Sequence, residues 1–192
     1  MPDKRENSQL PQPFGSVKIE HHQNSNAKLK PEKLCRIELS KEAINFSAAH
    51  FTIFSRTERE DLHGHNFQVI GEVLAPVDEN GLVFDYVVLK KALKQLCDDL
   101  DEKTILPEKS PYFSIEKDAQ YVKGIFDKQK LMFLHRDVIT LPISNVSVEE
   151  LSHYFLARLM EIPEIKTKDI REIVIKISSS PGQAGAATWR TP

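Results

Sequence analysis

The sequence predicts an α+β domain, an antiparallel β-sheet with two helices on one face. Two observations carry this. Apolar and polar residues alternate with period two in segments near both ends of the apolar part of the chain, and between them lie two longer segments whose apolar residues recur at three and four. The elements read in the order strand, strand, helix, hairpin, helix, strand, and hairpins with helices on one face make an α+β domain.

Residues 1–33 are rich in Gln, Asn, Ser, Pro, Lys and Glu and show no apolar periodicity. Such a segment buries too little to offset its ordering entropy, so a disordered tail is expected, followed by one domain over 34–192. The pair His21 and His22 within it offers only adventitious metal binding. Leu34-Cys35-Arg36-Ile37-Glu38-Leu39 alternates as a half-buried strand does, and that segment runs on towards Phe46 and His50. Ser55 to Asp61 is a charged loop. Phe67, Val69, Ile70, Val73 and Leu74 mark a second strand, antiparallel to the first, and Asp78-Glu79-Asn80-Gly81 supplies a turn.

Asp85 is placed to cap a helix of about 15 residues, with Tyr86, Leu89, Leu93, Leu96, Cys97 and Leu100 on one face. Pro107 ends the stretch after Asp101-Glu102. Lys130–Phe133 and Val138–Leu141, separated by His135-Arg136-Asp137, read as a hairpin. Ser147-Val148-Glu149-Glu150 has capping-box form and opens a second helix through Leu159 and Met160, stopped by Pro163. Ile173–Ile177 is the last strand, followed by Ser178-Ser179-Ser180-Pro181-Gly182.

Lys plus Arg number 26 against 28 Asp plus Glu, a formal net charge of -2. That balance gives no electrostatic footprint for nucleic acid or an anionic membrane, so any anionic ligand must be held by local groups. No apolar run approaches the roughly 20 residues that span a bilayer, and the polar N-terminus lacks a secretion signal's apolar core. A cytoplasmic location is expected. Cys35 and Cys97 are too few for a disulfide framework and read as plain thiols.

Three histidines stand apart: His50 in Phe46-Ser-Ala-Ala-His50, and the pair His63-Gly64-His65. Side chains two apart on a strand share a face, so His63 and His65 converge, with His50 closing the triangle from the preceding strand. Gly64 is expected to let the backbone lie close to an ion. Three imidazoles with a fourth position left for water or substrate is the pattern of catalytic zinc. Zinc (Zn2+) is preferred, although iron or another divalent metal also suits imidazole.

These histidines, with Phe84-Asp85 at the helix opening, Leu100-Asp101 and Asn145-Val146-Ser147-Val148-Glu149, resemble the ordered motifs of the 6-pyruvoyltetrahydropterin and 6-carboxytetrahydropterin synthase family, over about Leu34 to Trp189. The resemblance implies a tunnelling fold, in which strand pairs and helices of several subunits form an oligomeric barrel, usually a hexamer of two trimers. It also implies zinc on His50, His63 and His65, and a small-molecule pterin, 7,8-dihydroneopterin triphosphate, bound between subunits. The implied reaction is elimination of triphosphate with isomerisation of the side chain, or loss of that side chain as acetaldehyde.

The sequence departs from that pattern at three places. The family commonly carries a catalytic Cys four or six residues before His63, where this chain has Arg59 and Thr57. A related branch uses Glu in this loop, and Glu58 or Glu60 substitutes if the loop shifts by one residue. The Asp-His pair that partners the Cys becomes Asp101-Glu102, two acids able to relay a proton because like charges raise one pKa. A Glu after the last strand that grips the pterin corresponds to Ser179, leaving Glu149 and Ser147 to contact it. Three readings follow: a zinc-dependent lyase of this type, a zinc-stabilised binding module that has lost catalysis, or a zinc enzyme with another substrate.

Overall fold

The computed structural model describes residues 32–191. All but the last two residues of the expected tail, with His21 and His22, lie outside the described residues. Strands β1 (Leu34–Leu39) and β2 (Asn45–His50) are separate, divided by a turn in which Ile44 N–H donates to the Lys41 carbonyl at 2.9 Å. Both pair antiparallel with the 14-residue strand β3 (His63–Pro76), β2 with its first half and β1 with its second. Phe67, Val69, Gly71, Val73 and Ala75 of β3 are buried while the residues between them are half-exposed, as period two dictates. The expected turn follows, Asp78 accepting from the N–H groups of Asn80 and Leu82.

Helix α1 (Val87–Leu100) buries Leu89, Leu93, Leu96, Cys97 and Leu100 on the predicted face. Its N-cap residue is Tyr86, one later than expected. Asp85 still serves the terminus, its carboxylate accepting from Val87 N–H at 2.9 Å. Strand β4 (Lys103–Pro107) then runs parallel to β2. Its Ile105-Leu106-Pro107 is buried without alternation, which removes the periodic signal a half-buried strand would carry.

The expected hairpin between Lys130–Phe133 and Val138–Leu141 does not form. Strands β5 (Phe113–Lys117), β6 (Tyr121–Phe126) and β7 (Gln129–Leu134) make a separate three-stranded antiparallel sheet. After a 3-10 turn at His135–Asp137, strand β8 (Val138–Leu141) joins the main sheet parallel to β4. A short polar break looks the same in sequence whether the chain turns back or crosses between sheets. Here the turn belongs to β6 and β7.

Helix α2 (Val148–Met160) has Ser147 as its N-cap, the hydroxyl accepting from Glu150 N–H at 3.4 Å. Pro163 stops it and opens the one-turn helix α3 (Pro163–Lys166). Strand β9 (Glu172–Ser180) is not the last, since β10 (Gln183–Arg190) pairs back on it. The small residues of β10, Ala184-Gly185-Ala186-Ala187, give little strand signal. The main sheet has the order β10-β9-β3-β2-β4-β8, with β1 on the outer half of β3. Its centre is antiparallel as expected, and β4 and β8 add parallel pairs. Helices α1 and α2 share one core with Phe46, Phe67, Val69, Ile173 and Ile175. A second, smaller core of Phe51, Ile53, Leu106, Phe113, Val122 and Phe126 ties the three-stranded sheet to the segment after β2.

Candidate metal centre

In the β2–β3 register His50 lies opposite His63, Ala48 opposite His65, and Phe46 opposite Phe67. Alternation turns the three imidazoles to the same face as Phe46 and Phe67, at the end of the main core. The Phe67 ring stands edge-on to His50 and His65, with centroids 5.5 and 5.6 Å away. His50 is only 6% exposed, and His63 and His65 are half-buried. One ligand nitrogen from each lies within 4.8 Å of the other two, and the Nε2 atoms of His63 and His65 are 3.0 Å apart.

Main-chain carbonyls set two of the tautomers. Nδ1 of His50 donates to the Val146 carbonyl at 2.9 Å, and Nδ1 of His63 to the Asp61 carbonyl at 2.8 Å. A carbonyl can only accept, so each Nδ1 carries the hydrogen and each neutral ring keeps its lone pair on Nε2. Burial pushes the His50 pKa down, and the other two imidazoles add to this against the opposing Val146 bond. Nε2 of His50 is buried and has no hydrogen-bond partner among the described residues. Such an orphan costs about 1–3 kcal/mol, and a divalent cation relieves it while separating neighbouring lone pairs. The residues present fit a metal. Gly64 is not what admits it: a Cβ there would meet only the Ala48 carbonyl, at an ordinary 3.5 Å.

The charged loop separates its two acids. Glu58 is exposed, and its carbonyl closes a turn by accepting from Phe54 and Ser55 N–H. Glu60 is half-buried and doubly paired with Thr52, two residues beyond His50. Its N–H donates to the Thr52 carbonyl and its carboxylate accepts from Thr52 N–H, both at 2.9 Å. Burial pushes the Glu60 carboxyl up, but the hydrogen bonds from Thr52 and the nearby His63 and His50 outweigh it and hold it below the usual range.

Asp101 and Glu102 grip β2 at Ser47. The Asp101 carboxylate accepts from Ser47 N–H at 2.7 Å, and Glu102 N–H donates to the Ser47 carbonyl at 2.8 Å. Glu102 has a φ of 58°, a left-handed conformation that costs on the order of 1–3 kcal/mol for a residue with a side chain. It borders a cavity of about 460 Å³ with Ser47, Gly64 and Asn66, and of the three imidazoles only His65 lines it. Ser147 follows Val146 directly, and Glu149 is exposed in the first turn of α2. The backbone of Gly185 abuts that turn so closely that a Cβ would come within 2.8 Å of the Glu149 nitrogen. Ser179 is half-buried just beyond the last β3–β9 pair, Gln68–Ser178.

The model of the 6-pyruvoyl tetrahydropterin synthase family matches residues 38–188. The chain belongs to this family. Among its relatives is a putative 6-carboxy-5,6,7,8-tetrahydropterin synthase of Methanocaldococcus jannaschii, 28% identical over 144 residues, 73% of this chain and 86% of the relative. A protein of the same description from Pyrococcus abyssi is 28% identical over 71% of this chain and 80% of its own. Of solved structures, the Plasmodium falciparum 6-pyruvoyl tetrahydropterin synthase is 33% identical with a TM-score of 0.77, covering 82% of this chain and 99% of that one. The Plasmodium vivax synthase is 29% identical with a TM-score of 0.77, covering 83% and 100%. Variants of the latter replace a catalytic glutamate by Cys or Ala.

The structure brings the three imidazoles together, sets Glu60 three residues before His63, and bonds the Val146 carbonyl, which precedes Ser147, to His50. Glu58 is exposed, and Glu102 borders a cavity that, of the three imidazoles, only His65 lines. Neither thiol replaces the missing Cys: Cys97 is buried with its pKa pushed up to about 12 by desolvation, and Cys35 pairs with Ala75 at the far end of β3. Four contributors escaped sequence reasoning. They are the carbonyls of Val146 and Asp61, Thr52, and Asn145, whose side chain accepts from Ile53 N–H and donates to its carbonyl. Of these, Asn145 and Val146 had a visible signal, their place in the run ending at Glu149. No helix among the described residues is long and apolar enough to cross a membrane.

Proposed function

We propose that this protein is a zinc-dependent lyase of the 6-pyruvoyl/6-carboxytetrahydropterin synthase type, acting on 7,8-dihydroneopterin triphosphate or a related pterin. The observation that carries the reading is the convergence of three imidazoles, one of them with a buried, unpartnered Nε2. A zinc ion held by His50, His63 and His65 supplies a Lewis acid that lowers the pKa of the substrate's side-chain hydroxyls. Glu60 takes the proton in place of the family's Cys, because its carboxylate is ionised, half-buried and fixed beside the imidazoles by Thr52. Proton loss from the side chain with departure of triphosphate leaves an enol that rearranges to a ketone, and the two hydrogens of the remaining side-chain carbinol pass to the C=N bond of the dihydropterin, leaving a diketone on a tetrahydropterin. In the carboxy-forming variant the bond between the first and second side-chain carbons breaks: the outer two carbons leave as acetaldehyde with release of triphosphate, and the first stays on the ring and becomes the carboxylate with one water, its two electrons reducing the dihydropterin to the tetrahydropterin.

Asp101 and Glu102 return protons through the cavity that Glu102 borders. Glu149 grips the amino edge of the pterin through charge-assisted hydrogen bonds, with Ser147 and Ser179 as lesser contacts. Where the family commonly has a second carboxylate, Ser179 offers a hydroxyl, and the missing charged contact weakens binding by on the order of 1.5–3 kcal/mol. Assembly as a hexamer of two trimers belongs to the same proposal.

The test is release of triphosphate from dihydroneopterin triphosphate by zinc-loaded and metal-stripped protein. No release at any metal loading overturns the lyase. Arg59, Thr57 and Glu102 at the positions of the usual Cys and His favour a second reading, the binding module, and calorimetric titration with biopterin separates the two. Binding without turnover supports the module, and no binding points to another substrate.

A further inference from the structure

Arg59 stands where the resembled enzymes commonly carry their Cys, yet its guanidinium is committed elsewhere. It lies 5.0 Å from the centroid of Phe51 and 5.8 Å from that of Phe126, both in the smaller core. Nε and Nη2 both donate to the side-chain oxygen of Gln129, at 3.0 and 2.5 Å, and Nη1 donates to the Glu60 carbonyl at 2.6 Å. Gln129 opens β7 in the separate small sheet, 70 residues away along the chain. A rigid fork used in this way is unavailable to a substrate.

Each of these contacts bears on the peptide that carries Glu60. Arg59 forms an isolated β-bridge with Ile53, and Glu60 meets Thr52 through both its N–H and its carboxylate. The segment Phe51–Ile53 leaves β2 immediately after His50. The chain leading out of the imidazole cluster and the chain leading back to it are thus locked side by side, and the lock is anchored on Gln129.

We infer that Arg59, clamped by Phe51, Phe126 and Gln129, is a positioning residue that sets the Glu60 carboxylate against the imidazole cluster. The small sheet is thereby part of the acid–base apparatus. This rests on the assignment of Glu60 as proton acceptor.

The test reads backbone amide exchange by NMR in the full-length, zinc-loaded protein. Arg59→Lys keeps a cation over the rings but loses the fork, and Gln129→Ala removes the anchor alone. In both, exchange of the Thr52 amide is expected to accelerate about tenfold, the equivalent of one ordinary hydrogen bond, while the amides of β6 keep their wild-type rates. With substrate, kcat falls and KM does not move. Unchanged Thr52 exchange overturns the inference. So does acceleration that appears equally in β6, which would mark Arg59 as general support for the smaller core. The exchange measurement needs no substrate, so a wild type without turnover sinks the lyase while Thr52 still decides the role of Arg59.

Discussion

The proposed metal ligands are set up by neighbours that have no side-chain identity. The Val146 and Asp61 carbonyls fix which nitrogen of His50 and His63 keeps its lone pair. Second contacts of this kind typically change metal affinity by about 10–100-fold. Replacing His63 with Ala removes one of three proposed ligands, and the expected outcome is loss of stoichiometric zinc after gel filtration, read by metal analysis. Zinc retained at one equivalent would refute the ligand set. The three histidines were legible because an imidazole pair at strand spacing has few plain explanations once a third lies upstream. The carbonyls were not, since every residue has one. Nor could the sequence choose between Glu58 and Glu60, because an irregular loop has no period from which to read a direction.

At the level of elements, four neighbouring strands are tied across one face by charge. Arg36 of β1, Leu74 of β3, Glu172 of β9 and Arg190 of β10 stand side by side in register. Arg190 Nε reaches Glu172 at 2.5 Å and Arg36 Nη2 at 2.6 Å, and the two guanidiniums hold the Glu172 carboxyl below the usual range. A depressed folded-state pKa stabilises above the ordinary carboxylate value of about 4.5, and the stabilisation is lost as pH falls through the lower folded value. Glu172→Gln is therefore expected to be less stable than wild type in urea at pH 7, with the gap closing on acidification below pH 4.5 or so. A gap that stays constant down to pH 3 would show that the carboxylate's charge contributes nothing. Strands that present one face to solvent, such as β1 and β3, declared themselves by alternation. Those without it, β4 with its run of buried residues and β10 with its alanines, did not, and the separate sheet was hidden because β7 and β8 are adjacent in sequence but pair in different sheets.

For the whole molecule, the proposed metal site makes stability depend on metal through one equilibrium. A ligand that binds only the folded state at a hundred times its Kd stabilises by about 2.7 kcal/mol, which for a domain of this size raises Tm by roughly 5–11 °C. Adding EDTA to the zinc-loaded protein is expected to lower the melting temperature by that order, and readdition of zinc to restore it. Coincident melts with and without chelator would mean that the cluster holds no metal. Strand β2 gives this centre a parity requirement. Its even-numbered residues Phe46, Ala48 and His50 are buried on one face, Phe46 and Ala48 in the core shared with the helices, while Ser47 is exposed on the other. Deleting a single residue between Ile44 and His50 shifts the strand by one step, and a one-step slip exchanges its two faces. Phe51 would then take the place opposite His63, and His50 the place of Ala49 opposite Gly64, on the other face. The zinc content of such a deletion variant reads this directly: the centre survives changes of length in β2 only in steps of two.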